Sequence, residues 1–201
     1  MTTVNSKVLE FCNFMGRLKH LPRTGWVMKD IPNCETVAGH MYRMAMLTFL
    51  LEAKDIDIQR CLKMCLVHDM AESIVGDLTP HCGVSVEDKH RQEEEAMETL
   101  IKLVPELSGE DMKSLFMEYE HQETQEAILV KDLDRFDMIC QAYEYEESQN
   151  KPMALEEFFV ATEGRFKHPE VKRWVEELYQ KRALLMVPVA NGSEDVKPLS
   201  I

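Results

Sequence analysis

Apolar residues recur along most of the chain at spacings of three and four, the stripe of a helix that buries one face. Val8, Leu9, Phe11, Cys12, Met15 and Leu18 lay out such a stripe and predict a first helix over Ser6 to His20. Pro22 to Glu35 is interrupted by Gly25 and Pro32 and reads as a loop. The pattern then predicts helices over about Thr36 to Ala53 and Asp57 to Ser73. Gly76-Asp77-Leu78-Thr79-Pro80 forces a turn, and a helix follows over about Val86 to Val104. A short helix is expected after Ser108 and Gly109, a long one over about Thr124 to Gln149, and two more over about Leu155 to Gly164 and Pro169 to Leu185. Neither Gly nor Pro occurs between Glu110 and Lys151, which long helices tolerate best. No stretch alternates β-branched and polar residues with a period of two, so the fold class is all-α. Residues 187–201 are polar with two prolines and are expected to form a short disordered C-terminal tail after a domain over 1–186.

Composition narrows the partners. At 201 residues the chain can bury one sizeable core without staples. Its formal charge of −13 gives the wrong electrostatic sign for DNA, RNA or an anionic membrane. A small anionic substrate stays open, because a bound cation or a few arginines can invert the local field. The start, MTTVNSKVLEF, carries no basic stretch followed by an apolar run, and no apolar stretch is long enough to span a bilayer. The six cysteines, Cys12, Cys34, Cys61, Cys65, Cys82 and Cys140, show no CxxC pair. Cys61 and Cys65 stand one turn apart in an apolar pattern, as buried thiols do, and point to an intracellular, cytoplasmic setting. The Glu93 to Glu95 run, with Lys89 and Arg91 one turn before, reads as a solvated helix face.

Chemistry concentrates at Cys-Leu-Val-His-Asp-Met-Ala-Glu, residues 65–72. His68, Asp69 and Glu72 share one helical turn near an apolar segment, where polar heads are costly unless something satisfies them. A divalent cation would do so; a hydrogen-bonded core histidine with two solvated carboxylates would also fit. His40 lies early in an apolar helix with Met41, Met44, Ala45 and Leu47. Asp132, Asp134 and Asp137 lie inside the long helix, and periodicity does not decide which of them points inward.

The ordered set His40, His68-Asp69 and Asp134 on three helices resembles the HD phosphohydrolase superfamily. Arg-Thr-Gly-Trp before His40, His-Asp-Met-Ala-Glu-Ser-Ile-Val-Gly-Asp-Leu-Thr-Pro around the pair, and Val-Lys-Asp-Leu-Asp are similar to the 5′-deoxynucleotidase branch. The resemblance covers about Ser6 to Leu185. It implies a single HD-domain helical bundle, a homodimer, and a hydrolase that takes deoxyribonucleoside 5′-monophosphates to deoxynucleoside and phosphate. His40, His68, Asp69 and Asp134 would be the metal ligands. Two imidazoles and two carboxylates suit Mn, Co, Fe, Ni or Zn and tolerate Mg less well; the expected cofactor is Mn, Co or Mg, with Fe, Ni and Zn as alternatives. Glu72 and Asp77, with Asp69, would be the catalytic carboxylates: Glu72 and Asp77 either move protons or hold a second cation with the carbonyl of Leu78. Arg23 would bind phosphate through its planar fork, and Trp26 would stack on the base. Asp77, Leu78, Thr79 and Pro80 would line the sugar.

Two departures from the family pattern stand out. Thr24 and Gly25 separate an Arg and a Trp that are adjacent in bacterial members, and Ala38-Gly39 replaces a Ser and an acidic residue before His40. The second removes a carboxylate that would orient the imidazole. The alternatives to the deoxynucleotidase reading are a phosphohydrolase for another nucleotide and a non-catalytic interaction protein on the same fold.

Overall fold

The computed structural model describes residues 4–52, 54–79 and 82–186. The expected tail at 187–201, the expected helix end at Ala53, and Pro80 lie outside the described residues. The elements are α1 (Val4–Leu18), α2 (Thr24–Val27), α3 (Val37–Leu47) with a 3₁₀ turn at Thr48–Leu50, α4 (Ile58–Val67), α5 (Glu72–Val75), α6 (Val86–Ile101), α7 (Glu106–His121), α8 (Gln125–Ser148), α9 (Glu156–Thr162) and α10 (Pro169–Leu184). Among the described residues the only extended pairing is one isolated bridge between Pro22 and Thr36. No described helix is long and apolar enough to cross a membrane.

Capping side chains set the helix starts. Thr36, Asp57, Ser85 and Thr124 each accept the amide N–H three residues on, from Gly39, Arg60, Asp88 and Ala127. Helix α4 runs through the middle of the molecule against α3, α7 and α8. Its Cys61, Met64 and Cys65 are fully buried. Helix α8 is buried on several sides, through Leu129, Val130, Leu133 and Ile139, because α3, α4, α7, α9 and α10 all pack on it. That is why its apolar pattern showed no single face.

The helix expected from about Thr36 to Ala53 ends at Leu47 in a 3₁₀ turn, with Leu51 and Glu52 outside any helix. Three further elements differ from the expectation. The helix expected from Asp57 to Ser73 ends at Val67. The His68 side chain takes the Cys65 carbonyl, the acceptor that another α-helical turn would use. The chain then tightens into three-residue steps, Met70 N–H to Val67 O at 3.0 Å and Glu72 N–H to Asp69 O at 3.1 Å. Such steps stack Asp69 and Glu72 on one side. Gly76, at φ +82°, ends α5 in a conformation glycine adopts without strain. Second, the short helix expected after Gly109 is a 16-residue helix from Glu106. Gly109 lies inside it because a Cβ there would meet the Ile101 carbonyl oxygen at 3.0 Å. Third, the 22–35 loop contains the one-turn helix α2.

Candidate metal centre and active site

His40 from α3 and His68 and Asp69 from the end of α4 bring their ligand atoms within 4.8 Å of one another, and Asp134 from α8 stands beside His40. His68 Nε2 is 3.1 Å from Asp69 Oδ2. His40 Nε2 is 3.2 Å from Asp134 Oδ1 and 3.8 Å from Asp69 Oδ2. These are the separations of neighbouring ligands on one ion with bonds of about 2.1 Å.

The outer contacts decide what the imidazoles can offer. His68 Nδ1 faces the Cys65 carbonyl at 3.0 Å, and a carbonyl only accepts, so Nδ1 carries the proton. His40 Nδ1 faces Asp137 Oδ2 at 2.6 Å and donates to it in the same way. Both rings therefore turn Nε2 inward, and both Nε2 atoms are buried without a hydrogen-bond partner. Two orphaned ring nitrogens beside two carboxylates leave a gap in polar satisfaction that a divalent cation fills. Burial and the Arg23 charge depress the His40 pKa, but Asp134 and Asp137 outweigh them and raise it to about 9. The pocket thus draws positive charge to Nε2, and a proton and a cation compete for that lone pair.

The carboxylates are held in turn. Tyr119 OH donates to Asp134 Oδ2 at 2.7 Å, and Lys131 Nζ reaches the same oxygen at 2.9 Å. Arg23 Nη1 is 3.4 Å from Asp69 Oδ2. Burial opposes ionisation of Asp69, yet His68, His40 and Arg23 hold its carboxyl far below the ordinary range. Asp137 is fully buried and also accepts from Arg43 Nε. It supplies to His40 the carboxylate that the Ala38-Gly39 departure lacks.

Of the three α8 aspartates, Asp134 faces the histidines and Asp137 stands behind His40. Asp132 is structural: its Oδ2 accepts the N–H groups of Lys167 and His168 at 2.6 and 2.7 Å, just before α10. Sequence reasoning left Asp137 undecided among the three aspartates and missed Tyr119, Lys131 and Arg43. The spacing of Asp134 and Asp137, three apart on one helix, was the available signal for Asp137.

Glu72 is 4% exposed, and its Oε2 has no partner. Burial, then the charges of Asp69 and Asp77, push its pKa well above the usual carboxylate range. Asp77 Oδ2 accepts the Thr24 N–H at 2.6 Å, and Thr24 Oγ1 donates to the Asp77 carbonyl at 2.7 Å. The intervening Thr24 of the Arg-Thr-Gly-Trp segment thus ties the Arg23 loop to Asp77. Lys89 Nζ donates to the Leu78 carbonyl at 2.8 Å and sits 3.3 Å from Glu93. Glu93 is buried, so the solvated face expected for the acidic run holds for Arg91 and Glu95 and not for Glu93.

A cavity of about 600 Å³ opens beside Arg23, Asp77 and Thr79 and continues along Met138 and Phe158. Trp26 reaches its wall but is only 1% exposed. Phe158 lies at 4.5 Å and Tyr145 at 5.3 Å between ring centroids, and the indole N–H donates to Glu35 at 3.4 Å. The indole is therefore a core group with no free face for a base. The cavity's apolar surface comes from the half-buried Phe158 and Met138 instead.

A family model described as HD domain matches residues 15–173. The Xenopus laevis protein named 5′-deoxynucleotidase HDDC2 is 44% identical over 193 residues, covering 96% of each chain. The Schizosaccharomyces pombe protein named 5′-deoxynucleotidase hdd1 is 48% identical over 180 residues, covering 87% of this chain and 90% of its own. Among solved structures, the PH0347 protein from Pyrococcus horikoshii OT3 superposes with a TM-score of 0.70 at 32% identity, over 88% of this chain and 99% of its own.

Proposed function

The chain belongs to the HD domain family, and on that premise we propose that it is a metal-dependent 5′-deoxynucleotidase, hydrolysing deoxyribonucleoside 5′-monophosphates to deoxynucleoside and phosphate. The observation that carries the proposal is the pair of buried, unpartnered Nε2 atoms of His40 and His68, each with its Nδ1 proton committed elsewhere. With Asp69 and Asp134 they form a borderline-to-hard donor set that suits Mn, Co or Mg, with Fe, Ni and Zn as alternatives. When bound there, the cation supplies charge neutralisation at the phosphoryl group and lowers the pKa of water.

The protein's own residues do the rest. Arg23 offers its guanidinium at the junction of the cluster and the cavity, and its fork suits a phosphate dianion. Its neighbours Asp69, Asp134, Asp77 and Glu72 outweigh burial and keep it charged. Glu72, with one bare buried oxygen and a raised pKa, is placed to move a proton between water and the departing 5′-oxygen. Asp77, Leu78 and Thr79 edge the sugar, with Asp77 held by Thr24. The base lies against Phe158 and Met138, a surface with little demand on base identity. The deoxyribose preference is supported by the names of the relatives. The reading extends to a cytoplasmic homodimer; Cys61 and Cys65 pack in the core as free thiols, as a reducing compartment allows.

The test is phosphate release from matched deoxy- and ribonucleoside 5′-monophosphates with Mn²⁺ supplied, beside Asp69→Ala. Deoxy substrates should be turned over faster, and the variant should lose both metal and activity. Equal turnover of both sugars would remove the deoxy assignment. Wild-type metal content and turnover in Asp69→Ala would remove the site.

A further inference from the structure

The segment Gly76–Thr79 lies in no helix, and side chains hold it at Asp77, Leu78 and Thr79. A second cation on this segment would bind Glu72, Asp77 and the Leu78 carbonyl. Two of those three donors are already engaged by the protein. Asp77 Oδ2 accepts the Thr24 amide at 2.6 Å, and the Leu78 carbonyl accepts the Lys89 ammonium at 2.8 Å. Oε2 of Glu72 is buried and has no hydrogen-bond partner.

Lys89 is held at the Leu78 carbonyl by its own helix. It lies one turn into α6, where buried Glu93 sits 3.3 Å from the ammonium one turn on. Glu120, from α7, adds its charge to the surroundings of Glu93 and is itself paired with His90 at 2.5 Å. Burial works against the Lys89 charge, but Glu93, Glu72 and Asp69 outweigh it and keep the group protonated. The ammonium thus occupies the field of the carboxylate that a second cation would use.

We propose that Lys89 controls the second cation position: its ammonium holds the Leu78 carbonyl and repels a divalent ion from Glu72, so a second cation binds only by displacing it. This rests on the reading of His40, His68, Asp69 and Asp134 as ligands of the first cation. At low metal the site then works with one cation and Lys89. At high metal it takes two, with Lys89 released toward Glu93.

The experiment is a Mn²⁺ titration of the metal-stripped full chain, followed by calorimetry and by the electron paramagnetic resonance of bound Mn²⁺. Wild type, Lys89→Met and Lys89→Arg are compared, with thermal melts to confirm folding. Wild type should show one tight step and one weak step. Lys89→Met should tighten the weak step about 10-fold or more, the scale of removing a neighbouring unit charge. Its spectrum should show spin coupling between two close ions at lower metal. Lys89→Arg keeps the charge and should keep the step weak. Adding Glu72→Gln to Lys89→Met should abolish the gained step. An unchanged weak step in Lys89→Met, or equal tightening in Lys89→Arg, would overturn the proposal while leaving the first site intact. Loss of the tight step from wild type itself would overturn the metal reading and this inference with it.

Discussion

Replacing Asp137 by asparagine tests the site through an atom that touches neither cation nor substrate. Asp137 has two oxygens and two donors facing them: Arg43 Nε at Oδ1 and His40 Nδ1 at Oδ2, the latter at 2.6 Å. An asparagine has one oxygen and one NH₂. Arg43 stays protonated and must be met by the oxygen. The NH₂ then faces His40 Nδ1, which has to become an acceptor, and the ring proton moves to Nε2. That tautomer cannot bind a metal. Restoring the productive tautomer means turning the amide and leaving a half-buried Arg43 donor without its acceptor, a cost of about 1–3 kcal/mol. At about 1.4 kcal/mol per decade this is roughly 5- to 150-fold in affinity, in line with the 10–100-fold (approximately) seen when such supporting groups are lost. Arg43 keeps Glu144 and Gln141 as partners, so the fold should survive. We therefore expect Asp137→Asn to bind Mn²⁺ about 10–100-fold more weakly. Activity should recover as metal is raised, since mass action refills a weakened site. Calorimetry gives the affinity, and NMR of the imidazole nitrogens reports the tautomer directly. Wild-type affinity, or an Nδ1-protonated His40 in the variant, would refute the argument.

Glu72→Ala should retain the first cation and lose about 10²–10⁴-fold in turnover, the scale of a positioned proton-transfer group; single-turnover phosphate release with metal content measured in parallel checks it. Gly109→Ala should destabilise the fold by about 1–3 kcal/mol, because its methyl meets the Ile101 carbonyl at 3.0 Å and overpacking outweighs the gain in helix propensity; urea unfolding would show the opposite sign if propensity won. Glu146→Ala should cost about 3–5 kcal/mol. It removes the carboxylate that accepts Arg182 Nε at 2.7 Å, Nη2 at 2.8 Å and the Leu155 N–H at 2.8 Å, leaving Arg182 with Glu156 and the Phe159 ring. The same unfolding assay measures it.

The boundaries that the sequence marked well are those with a local cause. Thr124 and Gln149 bracket α8 because a capping hydroxyl stands at one end and the next residue beyond the other takes positive φ. Where a tertiary contact overrode local preference, the pattern misled. Gly109 looks like a breaker, yet it is the residue that lets α7 pack against Ile101. The 57–73 segment looks continuous, yet the His68 side chain captures a carbonyl and tightens the chain just where the site needs Asp69 and Glu72 together. The motif residues at His40, His68-Asp69 and Asp134 were legible because their order along three helices is distinctive. Trp26 was not: a tryptophan in a polar loop reads as a binding residue, while Tyr145 and Phe158, far along the chain, cover it. Asp137 was left undecided and the role of Lys89 was missed for a related reason, since each acts on a residue of another element, which the pattern of its own helix does not show.

The charge arrangement explains how a chain of net charge −13 presents a site suited to an anion. Each carboxylate around the histidines has a nearby protein cation: Arg23 at Asp69, Lys131 at Asp134 and Arg43 at Asp137, with the Lys89 and Arg23 charges acting on Glu72. Without these partners four buried or half-buried carboxylates would repel one another, and the competition of protons for the histidines would be stronger still. With them, the cluster's negative charge is largely offset before any cation arrives. A divalent ion then makes the centre positive instead of merely neutral, and its field is little screened because the groups are shielded from solvent. A phosphate dianion is drawn to that centre and to Arg23 against the repulsion of the whole protein. The proposed Lys89 control follows from the same balance: a first cation would meet two bare ring nitrogens, and a second would meet Lys89.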